Sequence, residues 1–256
     1  MSAVPDAPRS LLKVTGVAKR FGAVVAAENL SIDVPAGQKL SLIGSNGAGK
    51  TTFVNMVTGY LKPDDGTILL GGEDITGLAP RRIAQLGICR SFQIPQLCLE
   101  MSAMENLLVA ISAAEPGGFS LWRPSNDAAR RQRAEVLLDR FRLGHCADRA
   151  VTELPGGVRK LLDIAMAMAR APRLLLLDEP TSGVSAEEKF DAMEQLMKAL
   201  QHEVATVVFI EHDMDIVERF SERVIAFYSG RIIADGPAKT VLADADVKRY
   251  VTGGVK

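Results

Sequence analysis

The chain has 256 residues and a mass of 27.5 kDa, long enough to bury roughly three-quarters of its unfolded surface without disulfides or a structural metal. Apolar residues at 47% and charged residues at 24% exclude a disordered, collagen-like or fibrous protein. Lys plus Arg number 30 against 31 Asp plus Glu, and a net charge of −1 argues against nucleic acid as a partner.

Residues 1–10 carry two prolines and several small polar residues and read as a flexible tail. Strand patterns follow in LLKVTGV and AENLSIDV, where Leu30, Ile32 and Val34 alternate with polar residues. Pro35, Ala36 and Gly37 turn the chain into the apolar strand KLSLIG. Phe53, Val54, Met56 and Val57 have helical spacing over 52–58, with Gly59 as the C-cap. Pro63-Asp64-Asp65-Gly66 is a turn signal before the strand TILLGG. Residues from about 97 to 155 read as mostly helical: EMSAMENLLVAI, a loop over 115–126 holding Trp122, then DAARRQRAEVLLDRF. Ala134, Leu137, Leu138 and Phe141 supply the apolar stripe of that last helix.

Beyond Pro155 helices and strands alternate: KLLDIAMAMAR, RLLLLDEP, EEKFDAMEQLMKAL and ATVVFIEHD, then a strand pair flanking Ser229-Gly230. Phe190, Met193, Leu196, Met197 and Leu200 form a core-facing stripe in the second of these helices. Uncharged strands alternating with amphipathic helices imply a parallel sheet covered on both faces. The expected plan is one α/β domain over 11–252 with a helical insert, and a short tail at 253–256. Cys89, Cys98 and Cys146 form no CxxC pair, which argues against zinc or disulfide frameworks and for a reducing compartment. The longest apolar stretches fall far short of the ~20 residues that span a bilayer, and the N-terminus lacks the apolar core of a signal peptide.

Two motifs carry chemistry. GSNGAGKTT (Gly44, Ser45, Asn46, Gly47, Ala48, Gly49, Lys50, Thr51, Thr52) fits the G-x-x-x-x-G-K-[ST] pattern, with an apolar strand before it and a helix after it. Glycines let the backbone curl so that successive N–H groups meet a phosphate at a helix N-terminus. Lys50 adds a compact charge near the β- and γ-phosphates, and the Thr51 hydroxyl can ligate Mg²⁺. RLLLLDEP then places Asp178 and Glu179 at the carboxyl end of a buried strand, where α/β sheets bind ligands. Asp178 suits a Mg²⁺ site and Glu179 the polarisation of an attacking water. Together these motifs read as a nucleoside triphosphatase. The Asn-Lys-x-Asp segment by which GTPases read guanine is missing, and small-molecule kinases usually lack such an acid pair.

The arrangement resembles the ATP-binding subunit of an ABC transporter over nearly the whole chain. Gln93 in RSFQIPQ is similar to the Q-loop glutamine, which touches Mg²⁺ and the attacking water. LPGGVRK (154–160) stands where the family carries LSGGQ, EPTSGVS (179–185) resembles the segment through the D-loop, and His212 in FIEHDM resembles the switch histidine. Phe21 in KRFG is similar to the aromatic residue that stacks on adenine. Taken singly, Gln93 would be a solvated loop residue, His212 a strand-end histidine and Phe21 a core residue; His145 and His202 read as surface or helix-end residues.

The resemblance implies an ABC ATPase of the P-loop NTPase class, with a mostly parallel sheet core, an antiparallel β subdomain and a helical insert. It implies ATP as substrate with Mg²⁺, a second ATP-binding subunit (identical or different), transmembrane permease subunits and, indirectly, an extracytoplasmic solute-binding protein. The place expected is the cytoplasmic face of the plasma (inner) membrane, peripheral, and soluble when isolated. KPDDGTILLGGEDITGL, ICRSFQ, MENLLVA and FIEHDMDIV are similar to the branch that imports branched-chain amino acids, a group that also takes up amides, urea and aromatic acids. Ile94, Leu97, Leu99 and Met101 are expected either to form a docking groove for the membrane subunits or to pack in the core.

Three positions depart from the family pattern. Pro155 and Val158 stand for the usual serine and glutamine of the signature, so Gly156 and Gly157 are left to meet the partner's nucleotide with backbone amides and the helix dipole. Ser185 stands where the D-loop usually has Asp. These departures leave open a regulatory subunit with weak hydrolysis, and a soluble ABC ATPase outside transport is a further alternative.

Overall fold

The computed structural model describes residues 10–115, 127–185, 187–201 and 206–253. Trp122, His202, most of the expected loop at 115–126 and most of the two expected tails lie outside the described residues. Strands β1 (Ser10–Phe21), β2 (Val24–Pro35) and β3 (Lys39–Gly44) lead into helix α1 (Lys50–Val57), and β4 (Asp65–Leu70) and β5 (Glu73–Asp74) precede α2 (Pro80–Gln85). Strand β6 (Ile88–Ser91) is followed by α3 (Ala103–Ala114), α4 (Ala128–Arg140), α5 (Gly156–Met168), β7 (Leu174–Asp178) and α6 (Lys189–Leu200). Then come β8 (Thr206–Ile210), α7 (Met214–Phe220), β9 (Arg223–Tyr228), β10 (Arg231–Pro237), α8 (Ala238–Ala243) and α9 (Ala245–Tyr250). The chain divides into two compact units, Met1–Leu86 with Ala205–Lys256, and Gly87–Val204.

The first unit holds two kinds of sheet. Strands β2, β1, β4 and β5 pair in that order, all antiparallel. The alternation read in β2 is real, with Leu30, Ile32 and Val34 buried and Ser31 and Asp33 exposed between them. The expected turn at 63–66 is shorter than its residues suggest, because β4 already begins at Asp65. Gly66 sits at φ +85°, and a Cβ there would lie 2.5 Å from the Gly16 carbonyl carbon, so only glycine lets β4 approach β1 this closely.

In the second sheet of this unit β3 runs parallel to both β8 and β9, and β10 pairs antiparallel with β9. Ile43, Val217, Val224, Ala226, Ala238, Val241 and Val247 form one buried cluster from β3, β9 and the short helices α7, α8 and α9. Phe53 of α1 meets Phe227 of β9 with ring centroids 5.8 Å apart, a tilted aromatic contact. Strand β3 therefore ends, and α1 begins, on a packed platform.

The second unit pairs β6 and β7 in parallel, with Ile88 opposite Leu174 and Ser91 opposite Leu177. Its helices bury the predicted stripes: Ala134, Leu137, Leu138 and Phe141 at α4, and Met193, Leu196, Met197 and Leu200 on α6, with Phe190 half-buried. A capping box between Ser102 and Glu105 starts α3, its hydroxyl and carboxylate each taking a backbone N–H of the other residue. The buried Arg130 of α4 donates to Glu115 at the end of α3 at 2.8 Å, tying the two helices together.

Candidate functional site

In the first unit the sequence GSNGAGKTT folds as a backbone cradle. Gly44, Gly47 and Gly49 take φ values of +153°, +79° and +107°, a run of turns that only glycine adopts without strain. A Cβ on Gly49 would fall 2.6 Å from the Ala26 carbonyl oxygen, and one on Gly44 would fall 2.6 Å from that of Phe227. The loop is thus pressed against β2 and β9. Backbone bonds lock it there, since Gly230 N–H donates to Ala48 O at 2.9 Å and Glu28 N–H donates to Gly230 O at 2.8 Å.

Gly49 is the N-cap of α1, and no side chain caps that helix. The amides of its first turn therefore face a position that an anion would fill with the helix dipole behind it. Lys50 is buried and bends back over the loop, its Nζ donating to Gly44 O at 2.6 Å and Ser45 O at 3.1 Å. Ser45, Asn46 and Thr51 are exposed and Thr52 is half-buried.

Phe21 ends β1 and is 51% exposed, which removes the core reading and leaves its ring available for stacking; Lys19 Nζ lies 5.8 Å from its centroid. His212 is exposed between β8 and α7. The next residue, Asp213, caps α7 by accepting from the N–H groups of Asp215 and Ile216, so the chain immediately after His212 is fixed. Glu211 before it is buried and accepts the His212 N–H at 3.2 Å.

The second unit brings together Gln93, Asp178 and Glu179, although Gln93 and Glu179 stand 86 residues apart in sequence. Gln93 Nε2 donates to Glu179 Oε2 at 2.8 Å. Glu179 holds φ +47°, a left-handed conformation uncommon for a residue with a side chain and characteristic of sites where the surroundings fix the backbone. Asp178 forms a 2.6 Å ion pair with Arg90 of β6, the two side chains being only 13% and 8% exposed. The Arg90 guanidinium in turn lies 5.0 Å from the Phe92 ring centroid.

Two residues of α5 complete this cluster, and neither stood out in the sequence. Lys160, 2% exposed, donates to the backbone oxygens of Phe92 and Asp178, each at 2.6 Å. Asp163, one turn further on, accepts from Ser91 Oγ at 2.7 Å and from Gln96 N–H at 3.1 Å. Burial holds the Asp163 carboxyl above its ordinary pKa, against the lowering effect of those two donors and of the Lys160 charge. A signal for both was present: an oppositely charged i, i+3 pair set inside the otherwise apolar run KLLDIAMAMA.

Pro155 is the N-cap of α5 rather than a member of its first turn, and its carbonyl accepts the Arg159 N–H at 3.0 Å. It gives the helix no side-chain cap, and Pro155 and Gly156 are exposed. The Ser185 hydroxyl donates to Glu188 at 2.8 Å and its carbonyl accepts the Glu188 and Lys189 N–H groups, so this residue serves the start of α6 in its own chain. Ile94 and Leu99 are 75% and 50% exposed, Met101 is exposed and Leu97 half-buried, which removes the core-packing reading for Ile94, Leu99 and Met101.

Among the described residues no group of three or more His, Cys, Asp and Glu side chains is arranged to hold a metal, and no helix is long and apolar enough to cross a membrane. The family described as ABC transporter matches residues 27–182. The chain is 37% identical over 249 residues to the high-affinity branched-chain amino acid transport ATP-binding protein LivG of Escherichia coli (strain K12), covering 95% of this chain and 98% of that protein. The crystal structure of the ADP conformation of MJ1267, an ATP-binding cassette of an ABC transporter, superposes with a TM-score of 0.83 at 31% identity, over 94% of this chain and 97% of that one. A dimeric post-hydrolysis structure of the cassette MJ0796 bound to ADP and Pi gives a TM-score of 0.76 at 25% identity, over 89% and 98%.

Proposed function

The chain belongs to the ABC transporter family, and on that premise we propose that it binds and hydrolyses ATP to drive an importer of branched-chain amino acids or related small solutes. One observation carries the nucleotide part of this reading: the cradle of Gly44–Thr52, where the Lys50 ammonium lies over the loop and no side chain caps the amides at the start of α1. A triphosphate offers Lys50 anionic acceptors, stronger partners than the two neutral carbonyls to which it now donates. The exposed Phe21 ring is the adenine platform.

Thr51 in the first unit, and Gln93 and Asp178 in the second, each offer an oxygen ligand of the kind that a hard cation such as Mg²⁺ takes. Held by such oxygens, the ion would be shared with phosphate oxygens. When bound, Mg²⁺ would supply charge neutralisation to the phosphate oxygens. Glu179 takes a proton from the attacking water, Gln93 holds the Glu179 carboxylate in place through its amide, and His212 donates to the γ-phosphate. The second half of each site comes from another ATP-binding subunit, whose Gly156 and Gly157 counterparts present helix-end amides to the phosphate.

The permease subunits dock on the exposed apolar run Ile94, Leu99 and Met101. The work takes place at the cytoplasmic face of the plasma membrane, with a solute-binding protein outside it supplying the cargo. Co-purification from detergent-solubilised membranes tests the assembly: two membrane subunits and a second ATP-binding chain are expected with it. In proteoliposomes, ATPase should rise when a binding protein loaded with a branched-chain amino acid is added. ATPase indifferent to every loaded binding protein would sink the importer reading, and recovery of this chain with ribosomes or DNA would replace it.

A further inference from the structure

We propose that Lys160 is a positioning residue for hydrolysis, aiming Gln93 and Glu179 at one another through the backbone on which each is carried. This rests on the reading of Glu179 as the base. The Lys160 ammonium is 2% exposed and reaches Phe92 O and Asp178 O, each at 2.6 Å. Those two carbonyls belong to the peptide groups immediately before Gln93 and Glu179. A peptide group is planar, so holding its oxygen fixes the plane from which the next residue's φ is measured. One ammonium therefore pins both planes, and the side chains beyond them meet in the 2.8 Å bond from Gln93 Nε2 to Glu179 Oε2.

The pinning is needed because Glu179 sits at φ +47°. A non-glycine residue in that region relaxes toward the β or right-handed region unless its surroundings hold it. Lys160 supplies the hold from the Asp178 side, and Ser182 N–H supplies it from the other by donating to Glu179 O at 3.0 Å. Asp163 anchors the same loop, accepting from Ser91 Oγ and Gln96 N–H on either side of Gln93. The pair Lys160 and Asp163 thus grips residues 91–96 with opposite charges from one face of α5.

A four-member cycle in the full chain tests this: wild type, Lys160→Met, Glu179→Gln and the double variant, with Lys160→Arg as the conservative control. Steady-state kcat, KM for ATP and the nucleotide-induced rise in melting temperature are measured for each. Lys160→Met should lower kcat about 10- to 100-fold, the cost of misplacing a reacting group by about 1 Å. KM for ATP and the melting shift should stay within about twofold of wild type, and Lys160→Arg should recover most of the rate. In the double variant turnover should equal that of Glu179→Gln alone, because aiming Gln93 and Glu179 at one another speeds hydrolysis only while that carboxylate is present.

A merely structural lysine would instead lower the nucleotide-induced shift in step with kcat, or add its loss to that of Glu179→Gln. Either result overturns the proposal, as does a wild-type kcat in Lys160→Met. If Lys160→Met does not fold, Lys160→Gln keeps an uncharged NH2 donor on a shorter side chain and carries the same comparison. Full turnover in Glu179→Gln would overturn the base assignment itself, and this inference with it. An inactive Glu179→Gln beside a fully active Lys160→Met would remove this inference alone.

Discussion

The two units solve the problem of holding charge in opposite ways. In the first, the cradle is made of backbone: three glycines at positive φ, a helix end without a side-chain cap, and carbonyls of Ala26 and Phe227 that leave no room for a Cβ on Gly49 or Gly44. Its one lysine is satisfied locally by carbonyls five and six residues away. In the second, the acidic centre is made of side chains drawn from β6, β7 and α5: Arg90 with Asp178, Lys160 with two carbonyls, Asp163 with Ser91. A backbone site is pre-shaped by sterics and fails all at once when a glycine is lost. A side-chain site is held by balanced buried charges, and it responds in degrees that depend on which charge is removed.

The sharpest test of this contrast removes the charge that does chemistry without disturbing the scaffold. Glu179→Gln keeps the shape and an oxygen that can accept from Gln93, so the unit should fold and ATP should still bind. Turnover should fall by roughly 10²- to 10⁴-fold, the usual contribution of a general base. Single-turnover hydrolysis of radiolabelled ATP beside equilibrium binding checks it. Parallel loss of binding and turnover would mean that Glu179 belongs to the scaffold rather than to the reaction.

Removing a scaffold charge should do the reverse. Arg90→Met leaves the Asp178 carboxylate uncompensated at a nearly buried position, and breaking such a pair costs about 3–5 kcal/mol. The exposed pair between Lys198 and Glu194 on α6 provides the control at a similar distance, 2.7 Å against 2.6 Å. Lys198→Met should change stability by less than about 0.5 kcal/mol, because solvent screens exposed i, i+4 pairs. Urea midpoints measured side by side decide between them. Equal shifts would show that the Arg90–Asp178 pair is effectively solvated.

The altered signature sharpens the comparison from the cradle side. Pro155 stands at the N-cap of α5 with neither a hydroxyl nor an N–H to offer. Pro155→Ser would restore one hydrogen bond to charged phosphate, worth about 1.5–3 kcal/mol. If that bond forms only on the way to hydrolysis, ATPase of the assembled transporter should rise about tenfold or more, while the isolated chain below its assembly concentration should not change. An unchanged rate in the assembled transporter would mean that the Gly156 and Gly157 amides already suffice.

What the sequence disclosed follows the same division. The cradle was legible because its parts are contiguous: glycine, lysine and threonine at fixed offsets between an apolar strand and a helix. Strand β2, α4 and α6 were legible because burial follows their period. The turn at 63–66 misled by two residues, since Gly66 serves the close approach of β1 and β4 rather than a loop. Helices α2, α7, α8 and α9, each of six or seven residues, are too short to show a period. The Arg90, Lys160 and Asp163 contacts span 88, 68 and 72 residues, and no local pattern encodes which carbonyl a lysine reaches.

Asp163 gives the smallest expected effect and the most specific sign. Burial raises its pKa in the folded chain, so the folded state binds the proton more tightly than the unfolded state does. Its contribution to stability is therefore fully present below the ordinary carboxylate pKa. It is lost as pH rises from there through the raised folded value, and then stays flat. Asp163→Asn cannot titrate, but its amide can still bond with the Ser91 hydroxyl. The stability of Asp163→Asn relative to wild type should consequently improve as pH climbs through that window. The gain is about 1.4 kcal/mol for every pH unit by which the folded pKa stands above the unfolded one. Taking the difference between the two proteins at each pH cancels every other titrating group, so urea midpoints from about pH 4 to 8 isolate this one. A difference that moves the other way would mean that Lys160, Ser91 and Gln96 together favour the ionised carboxylate more than burial disfavours it. The second unit would then hold a net-stabilising ion cluster, and its charges would differ from the backbone cradle in chemistry but not in the firmness of the hold.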